Sequence, residues 1–255
     1  AEAVGLGALD EGGVALIGRF SNGLTLALGT PEEVYFNPQP ALDNVQHAWI
    51  AGYDADGRLL WTELPTSILG NDYPRAVSSS ADGFVVAGIA SEAATFGPGG
   101  DNEQTFDAQP TNYFAAYGDD GTLHFARAFQ EQYGGIAPNS VGLQAEVVAL
   151  GGLFTSTVTL GQGLDTEVTL RAGDHNSPFA ATYDANGDFK CVWETHTTGD
   201  KATDGTVVFD GDAIWLGASF SDTITLMRGT PDEVTLTAKD GQDGFLARFL
   251  LEEPG

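Results

Sequence analysis

Positively charged residues are scarce in this sequence of 255 residues. Ten Lys and Arg side chains stand against 36 Asp and Glu, so the formal net charge is −26, and the isoelectric point lies near 4.1. A surface this acidic repels the phosphates of nucleic acids and anionic lipid headgroups. The composition therefore argues against DNA, RNA and acidic membranes as partners.

Cysteine is rarer still, because Cys191 is the single one, and the chain has one Met and three Lys. One Cys cannot form an intramolecular disulfide, and so few thiols and amines leave little for metal–thiolate or Schiff-base chemistry. No cofactor is expected, and calcium at the acidic turns is the alternative.

Long apolar runs are also missing. No segment approaches the roughly 18 residues of a membrane span, and no basic stretch followed by an apolar one opens the sequence. These absences predict a chain without a transmembrane segment. The first residues, Ala1-Glu2-Ala3-Val4, lack an initiator Met and suit the mature side of a signal cleavage, so an extracellular, periplasmic or cell-surface location is expected.

Glycine, in contrast, is abundant, and the 34 glycines punctuate an internal repeat. Four similar segments begin with an aromatic residue, at Trp49, Phe114, Phe179 and Phe245. A second apolar motif precedes each of them, at 15–20, 85–88, 148–151 and 214–220. The spacing of about 65 residues predicts four repeat units, approximately 1–71, 72–137, 138–200 and 201–255, within a single domain over 1–255.

Within each unit the apolar residues alternate or run in short blocks bounded by Asp, Asn and Gly, which is typical of strands. The second unit predicts a four-stranded antiparallel meander, with strands at 75–81, 84–90, 113–117 and 122–129. Two short β segments between the second and third strands predict an accessory hairpin, here 94–97 with 104–106. The matching segments in the other units are 25–28 with 34–36, 158–160 with 168–170, and 224–226 with 234–236.

A four-stranded unit repeated at a fixed period is the sequence signature of a β-propeller blade. The fold expected is therefore all-β, a propeller of four blades of four antiparallel strands with an accessory hairpin in each. An open arc of four blades, completed by another chain or forming half of an eight-bladed dimer, is the alternative.

The order of these motifs resembles the bacterial extracellular β-propeller repeat proteins. The resemblance rests on Thr95-Phe96-Gly97, Thr159-Leu160-Gly161, the Phe-x-Ala-x-Tyr-like strands, the Asp/Asn-Gly turns and a following Trp61 or Phe125. It covers essentially the whole chain and implies a secreted or cell-envelope protein with no assigned catalytic residue. Many members have more units than the four found here, which leaves ring closure open.

Acidic turns are the candidate metal sites. They contain fragments of a calcium-binding loop, and the candidate ligands are Asp54, Asp56, Asp119, Asp120, Asp184, Asn186 and Asp188. None of the turns has the complete ligand pattern, and Asp or Asn also caps a tight turn that Gly completes. The interpretation favoured here is a turn cap, with calcium as the alternative.

Other polar and aromatic residues give weaker signals. His47, His124, His175 and His196 are scattered without metalloprotease spacing. The repeated aromatics Trp49, Phe114, Phe179 and Phe245 suit either a sugar-stacking ring or the core between blades, of which core packing is favoured. Glu63, Glu131 and Glu194 are candidate glycosidase carboxylates, although 36 acidic residues make chance pairs common.

The fourth unit contains no segment for an outer strand after Phe245-Leu246-Ala247-Arg248-Phe249-Leu250. That strand is expected to be an unpaired edge, which proteins usually block or cover. Either Glu252-Glu253-Pro254 blunts it, or a strand from a neighbouring chain or from a removed segment pairs with it, and pairing or packing with a partner is the outcome favoured here.

The function expected is a non-catalytic interaction or structural module that binds a protein partner or a neighbouring subunit. The alternative is a lectin or glycan-active enzyme that uses loop carboxylates and aromatics on one face.

Overall fold

Strands dominate the computed structural model, which describes residues 1–37, 45–67, 72–90, 93–106, 111–130, 135–162, 164–199 and 202–251. Strands make up most of these ranges, and no α-helix occurs in them, although Asp10–Gly12 forms one turn of 3-10 helix. The prediction of an all-β chain is confirmed. None of the described ranges contains a helix long and apolar enough to cross a membrane.

The chain divides into two compact units, Ala1–Gln130 and Glu131–Gly255. The division falls near the predicted boundary between the second and third repeats, so each unit holds two repeats. That residues 1–255 form one domain stays a prediction.

The first unit contains two four-stranded antiparallel meanders, one for each repeat. The first sheet has the order β1-β2-β5-β6, with β1 Glu2–Ala8, β2 Val14–Phe20, β5 His47–Tyr53 and β6 Leu59–Glu63. The second has the order β8-β9-β12-β13, with β8 Tyr73–Ser80, β9 Gly83–Ala90, β12 Thr111–Tyr117 and β13 Leu123–Gln130. The four strands predicted for the second repeat are thus confirmed to within two residues at each end.

The second unit contains a six-stranded and a three-stranded sheet. The larger has the order β14-β15-β16-β17-β20-β21, with β14 Ile136–Gln144, β15 Val147–Leu160, β16 Val168–Tyr183, β17 Phe189–Thr197, β20 Thr223–Leu226 and β21 Val234–Thr237. The smaller has the order β18-β19-β22, with β18 Ala202–Asp210, β19 Ala213–Phe220 and β22 Asp243–Leu250. Among the described residues, the fourth repeat lacks an outer strand, as expected.

All four accessory hairpins are present. In the first unit they are β3 Leu24–Leu26 with β4 Val34–Phe36, and β10 Ala94–Phe96 with β11 Gln104–Phe106. The third is formed by the distal halves of β15 and β16, and the fourth is β20 with β21. The third hairpin was expected as separate short strands. Instead, β15 runs without interruption through Ser156, where φ is +57° and the register with β16 shifts.

Neighbouring repeats are also joined by strand pairing. In the second unit, β17, the outer strand of the third repeat, extends to pair with β20 of the fourth repeat, with Thr195 opposite Leu226 and Thr197 opposite Ile224. In the first unit, β7 (Thr66–Ser67) follows β6 and pairs with β10 of the second repeat. In each unit, the accessory hairpin of the later repeat is therefore linked to the earlier repeat through backbone hydrogen bonds.

The strand register corrects one part of the repeat alignment. Trp49 lies opposite Gly18, and the residue opposite the equivalent Gly88 is Tyr113 rather than Phe114. Phe114 consequently points to the other face of its sheet, where its ring packs against Phe125 and Phe129. Apolar composition alone cannot distinguish two adjacent aromatic residues, whereas the alternation of side chains along a strand does.

The core of each unit forms where two consecutive sheets meet. In the first unit, Ile17 and Ile50 of the first repeat pack in one cluster with Phe84 and Val86 of the second. In the second unit, the corresponding cluster joins Ala149 and Ala180 of the third repeat to Ile214 and Leu216 of the fourth. We call the surface that each sheet turns to the following repeat its back face, and the surface turned to the preceding repeat its front face.

Candidate functional site

The acidic turns are closed by hydrogen bonds within each turn. Asp54 Oδ1 accepts the backbone N–H groups of Asp56 and Arg58 at 2.9 and 2.8 Å. Asp184 Oδ1 likewise accepts from Asn186 and Asp188, both at 3.0 Å. Asp56, Asn186 and Asp188 thus contribute their backbone N–H groups to these turns. The geometry is that of a turn cap.

Lysine reinforces one of these caps. The Lys190 ammonium lies 2.7 Å from Asp184 Oδ2. Burial acts to raise the pKa of Asp184, but the hydrogen bond from Lys190 and those from the Asp188 and Asn186 backbone outweigh it and lower that pKa. The carboxylate is therefore held in its charged form by groups of its own turn.

The turn of the second repeat differs because Gly118 replaces the capping Asp. Asp120 Oδ1 accepts the Thr122 N–H at 2.9 Å, and backbone and side-chain hydrogen bonds from Thr122 lower the pKa of Asp120. Asp119 instead contacts the first repeat: its Oδ2 accepts the Asp10 N–H at 3.2 Å, and its carbonyl oxygen accepts Trp61 Nε1–H at 2.7 Å. Asp119 therefore joins two repeats.

No group of three or more His, Cys, Asp or Glu side chains arranged to hold a metal occurs in the part of the chain that the structure describes. His47 is half-buried against the Phe20 ring, 5.5 Å away, and burial lowers its pKa. His124 is exposed, while His175 and His196 are half-buried. The four histidines form no common cluster among the described residues. Calcium binding at the acidic turns is tested by titration.

The repeated aromatic residues lie in apolar surroundings. Trp49, Phe114 and Phe179 are buried, and Phe245 is half-buried against Phe220. Buried rings cannot stack on a sugar, so these positions support core packing. Of the candidate carboxylates, Glu131 lies outside the described residues, and Glu63 and Glu194 belong to different units.

Glu63 lies at the contact between the first two repeats. Its Oε1 accepts the Gly97 N–H at 2.8 Å, and burial raises the pKa of its carboxyl group despite that hydrogen bond. Burial, followed by the negative charge of Glu63, raises the pKa of Tyr117 as well. The Tyr117 ring stacks on Phe84 at 5.2 Å, and Phe84 stacks on Trp61 at 5.5 Å. Glu63 and the Tyr117 hydroxyl are therefore polar groups within an otherwise apolar contact between two repeats.

A groove of about 490 Å³ opens in the second unit between the third and fourth accessory hairpins and β17. Its charged residues are Asp165, Glu167, Lys190, Glu194 and Arg228, and the described residues that line it include no aromatic side chain. This groove therefore combines charges of both signs with the apolar side chains of Val168, Leu170, Val192 and Met227.

The tips of the accessory hairpins share a carboxylate contact that we did not predict from the sequence. Gly29, Gly99 and Gly229 donate their N–H groups to Glu33, Glu103 and Glu233, four residues later, at 2.7, 2.6 and 2.7 Å. A Gly and a Glu four residues apart in these accessory hairpins are the signal in the sequence. These carboxylates support the hairpins rather than a ligand.

The last sheet is incomplete at its edge. Among the described strands, β22 pairs with β19 on one side and with none on the other. The equivalent third strands β5, β12 and β16 each pair on both sides. The predicted partner edge Phe245–Leu250 therefore has one ladder of backbone groups without a described strand beside it.

The back face of the last sheet is uncovered too. Leu246 is equivalent to Ile50 and Ala180 of the first and third repeats. Each of them lies three residues before the last aromatic residue of its strand, which is Phe249, Tyr53 or Tyr183. The exposed fraction is 68% for Leu246 but 2% for Ile50 and 0% for Ala180. Val208 and Leu250 are also exposed on this face, next to Trp215 and Arg248. We call Val208, Trp215, Leu246, Arg248 and Leu250 the terminal face.

No protein family model matches the chain, and no curated protein matches it. A function for this chain therefore has to be inferred from the geometry of its sheets.

Proposed function

We propose that this chain is a non-catalytic module of the β-propeller type, secreted or held at the cell envelope, which binds a protein partner or a neighbouring subunit through its last sheet. Four repeats of about 65 residues, the meander order of the sheets and the accessory hairpins support the propeller architecture. The net charge of −26 is compatible with a highly solvated surface outside the cell.

The observation that carries the proposal is the unpaired side of β22. Exposed strand edges are usually shortened, charged or covered, because they accept strands from other chains. Over Phe245–Leu250 the edge is long enough to accept a strand, and its apolar residues Leu246 and Leu250 are 68% and 59% exposed. A partner strand would add backbone hydrogen bonds and cover part of this surface.

The state of the carboxylates supports a non-catalytic role. Asp54 and Asp184 each accept two backbone N–H groups, and Glu33, Glu103 and Glu233 each accept one. A hydrolase needs carboxylates placed for proton transfer at a substrate. The carboxylates named here instead hold turns and hairpins together.

The test uses the chain's own outer strand as a probe. A labelled peptide of residues 187–198, which include β17, with Cys191→Ser, is titrated with the full chain and followed by fluorescence anisotropy. We expect saturable binding, because β17 occupies in the third repeat the place that is empty beside β22. A peptide that also carries Val192→Pro is the matched control, since proline removes a ladder donor.

Hydrogen exchange locates the binding. Strand N–H groups alternate between the two sides, so a strand added beside β22 protects every second amide over residues 243–250. The absence of binding, or binding that leaves these amides unprotected, would contradict the proposal.

A further inference from the structure

Each unit shows how two consecutive repeats recognise one another. In the first unit, the back face of the first repeat contributes Ala15, Ile17 and Ile50 to a cluster that contains Phe84 and Tyr117 from the front face of the second. Ala15, Ile17 and Phe84 are completely buried. A back face therefore pairs with a front face, through small and medium-sized side chains packed against larger ones.

The terminal face is a back face against which no described repeat packs. Trp215 occupies the position of Ala15 and of Ala149, since each of the three is one residue after the residue paired with the last Tyr or Phe of the third strand of its repeat. Ala15 and Ala149 are completely buried, whereas Trp215 is half-buried and Leu246 is 68% exposed. Arg248 pairs with Asp212 at 3.0 Å on the same sheet.

The front face of the first repeat likewise has no described repeat packed against it. We call Leu6, Val14, Leu16 and Tyr53 the opening face, because they correspond to Val77, Phe84, Val86 and Tyr117 of the second repeat. Leu6 is 66% exposed, and the other three members are half-buried. Phe84, Val86 and Tyr117 are all buried.

The two uncovered faces are of the two kinds that meet inside each unit. Ala15, Ile17 and Ile50 of one back face share a buried cluster with Phe84 and Val86 of the next front face, and the back face of the third repeat shares another with Ile214 and Leu216. The uncovered faces are likewise one back face and one front face. Contact between them would remove Leu246 and Leu6, which are 68% and 66% exposed, from water.

We infer that the terminal face binds the opening face of a second copy of this chain. This inference rests on the proposed function, because it names the neighbouring subunit that the module binds. The contact is heterologous: the two copies use different surfaces, so association continues to a closed ring or to an open array. Trp215 and Arg248, which lie opposite one another on the terminal face, are of residue types that anchor protein interfaces.

The test measures the molecular mass of the full chain by sedimentation and light scattering over a range of concentrations. We expect species heavier than 26.7 kDa that increase with concentration. Sodium chloride near 1 M is expected to strengthen association, because salt screens the repulsion between copies of charge −26 and does not weaken apolar contacts.

Two charge substitutions separate the faces. Leu246→Glu places a charge in the terminal face, and Leu6→Glu places one in the opening face. Each substitution alone is expected to weaken association at least about tenfold. Mixing the two variants restores one intact contact, so a one-to-one dimer is expected and nothing larger. Leu28→Glu, at a hairpin position that is 77% exposed, introduces the same charge and is expected to associate like the unmodified chain.

Three results would overturn the inference. One is a monomer at every concentration and salt. Another is an assembly abolished by Leu246→Glu but untouched by Leu6→Glu, which would place two terminal faces against each other. The third is a mixture of the two variants that stays monomeric. None of these affects strand addition beside β22, so the proposed function would fail only in the peptide experiment.

Discussion

Glu63 is a carboxyl group placed inside the contact between two repeats. It accepts the Gly97 N–H at 2.8 Å, and its negative charge acts on the buried Tyr117 hydroxyl. The raised pKa means that the folded chain holds this proton more firmly than the unfolded chain does. Folding stability therefore falls as pH rises from the unfolded value, about 4.3, through the raised folded value.

Replacing Glu63 by Gln tests this assignment. The amide oxygen can still accept the Gly97 N–H, but the buried charge is gone. We expect Glu63→Gln to be more stable than the unmodified chain at pH 7 and to have no advantage below about pH 4, where glutamate is protonated in the unfolded chain as well. Urea unfolding between pH 4 and pH 8 measures the difference.

The control for this substitution is Glu32→Gln, which removes the same charge from an exposed residue. It corrects for the general gain from lowering a net charge of −26. An equal gain in both variants, or a gain that does not change with pH, would show that the Glu63 charge is not penalised by folding.

Among the elements, the accessory hairpins show how one backbone path accommodates different neighbours. The residue after the first hairpin strand has positive φ in all four repeats, at Ala27, Gly97, Gly161 and Met227. A Cβ at Gly97 would lie 2.8 Å from Leu123 Cβ, and one at Gly161 would lie 2.6 Å from Phe189 Cδ1. Leu123 and Phe189 begin outer strands. The fourth repeat has no described outer strand beside Met227, whereas in the first repeat Ala27 carries a Cβ although β6 begins at Leu59.

Two glycine substitutions separate backbone strain from crowding. Gly99 also has positive φ, +79°, but nothing lies within 4 Å of the position of its Cβ. We expect Gly99→Ala to cost about 1 kcal/mol of unfolding free energy from backbone strain alone. Gly97→Ala, with φ of +60°, carries a similar strain and adds about 1–3 kcal/mol because Leu123 must move.

Urea midpoints of the two variants and the unmodified chain measure these losses. A loss in Gly97→Ala no larger than that in Gly99→Ala would mean that Leu123 moves away without cost.

The sequence predicts the elements better than it predicts the links between them. Alternating apolar residues and Asp/Asn-Gly turns locate the strands of the second repeat and all four hairpins, because side-chain patterns record which face is buried. The pairing of β17 with β20 leaves no comparable trace, since it uses backbone groups that every residue carries. The displacement of Phe114 by one position depends on strand register, which composition does not record.

The candidate site is predicted unevenly for the same reason. The uncovered edge at Phe245–Leu250 is expected from the sequence because the repeat shows which strand is absent. The terminal face is not, because its recognition requires knowing that Leu246 corresponds to Ile50 and Ala180 and how far each is exposed. The role of Asp119, which contacts Asp10 and Trp61 of another repeat, likewise needs three-dimensional proximity.

For the whole molecule, the dominant property is the excess of 26 negative charges. Self-repulsion of this size favours expanded chains, and screening relieves it. We expect sodium chloride and calcium chloride at equal ionic strength to raise the melting temperature by similar amounts. The expectation for calcium follows from Asp54 and Asp184, whose oxygens already accept backbone N–H groups.

Calorimetric titration with calcium completes this test, and we expect no stoichiometric site of micromolar affinity. A tight site that disappears in Asp184→Asn would assign the acidic turns to metal binding. The exposed Asp56→Asn provides the comparison in a second turn.

The six-stranded sheet of the second unit holds its two repeats together independently of the peptide segment that connects them. The third and fourth repeats are joined not only by the peptide segment after β17 but also by the β17–β20 ladder and by the shared cluster around Trp193 and Phe249, whose rings stack at 5.4 Å. A proteolytic cut in that connecting segment would leave both of these attachments in place. We therefore expect the two fragments to remain associated after such a cut.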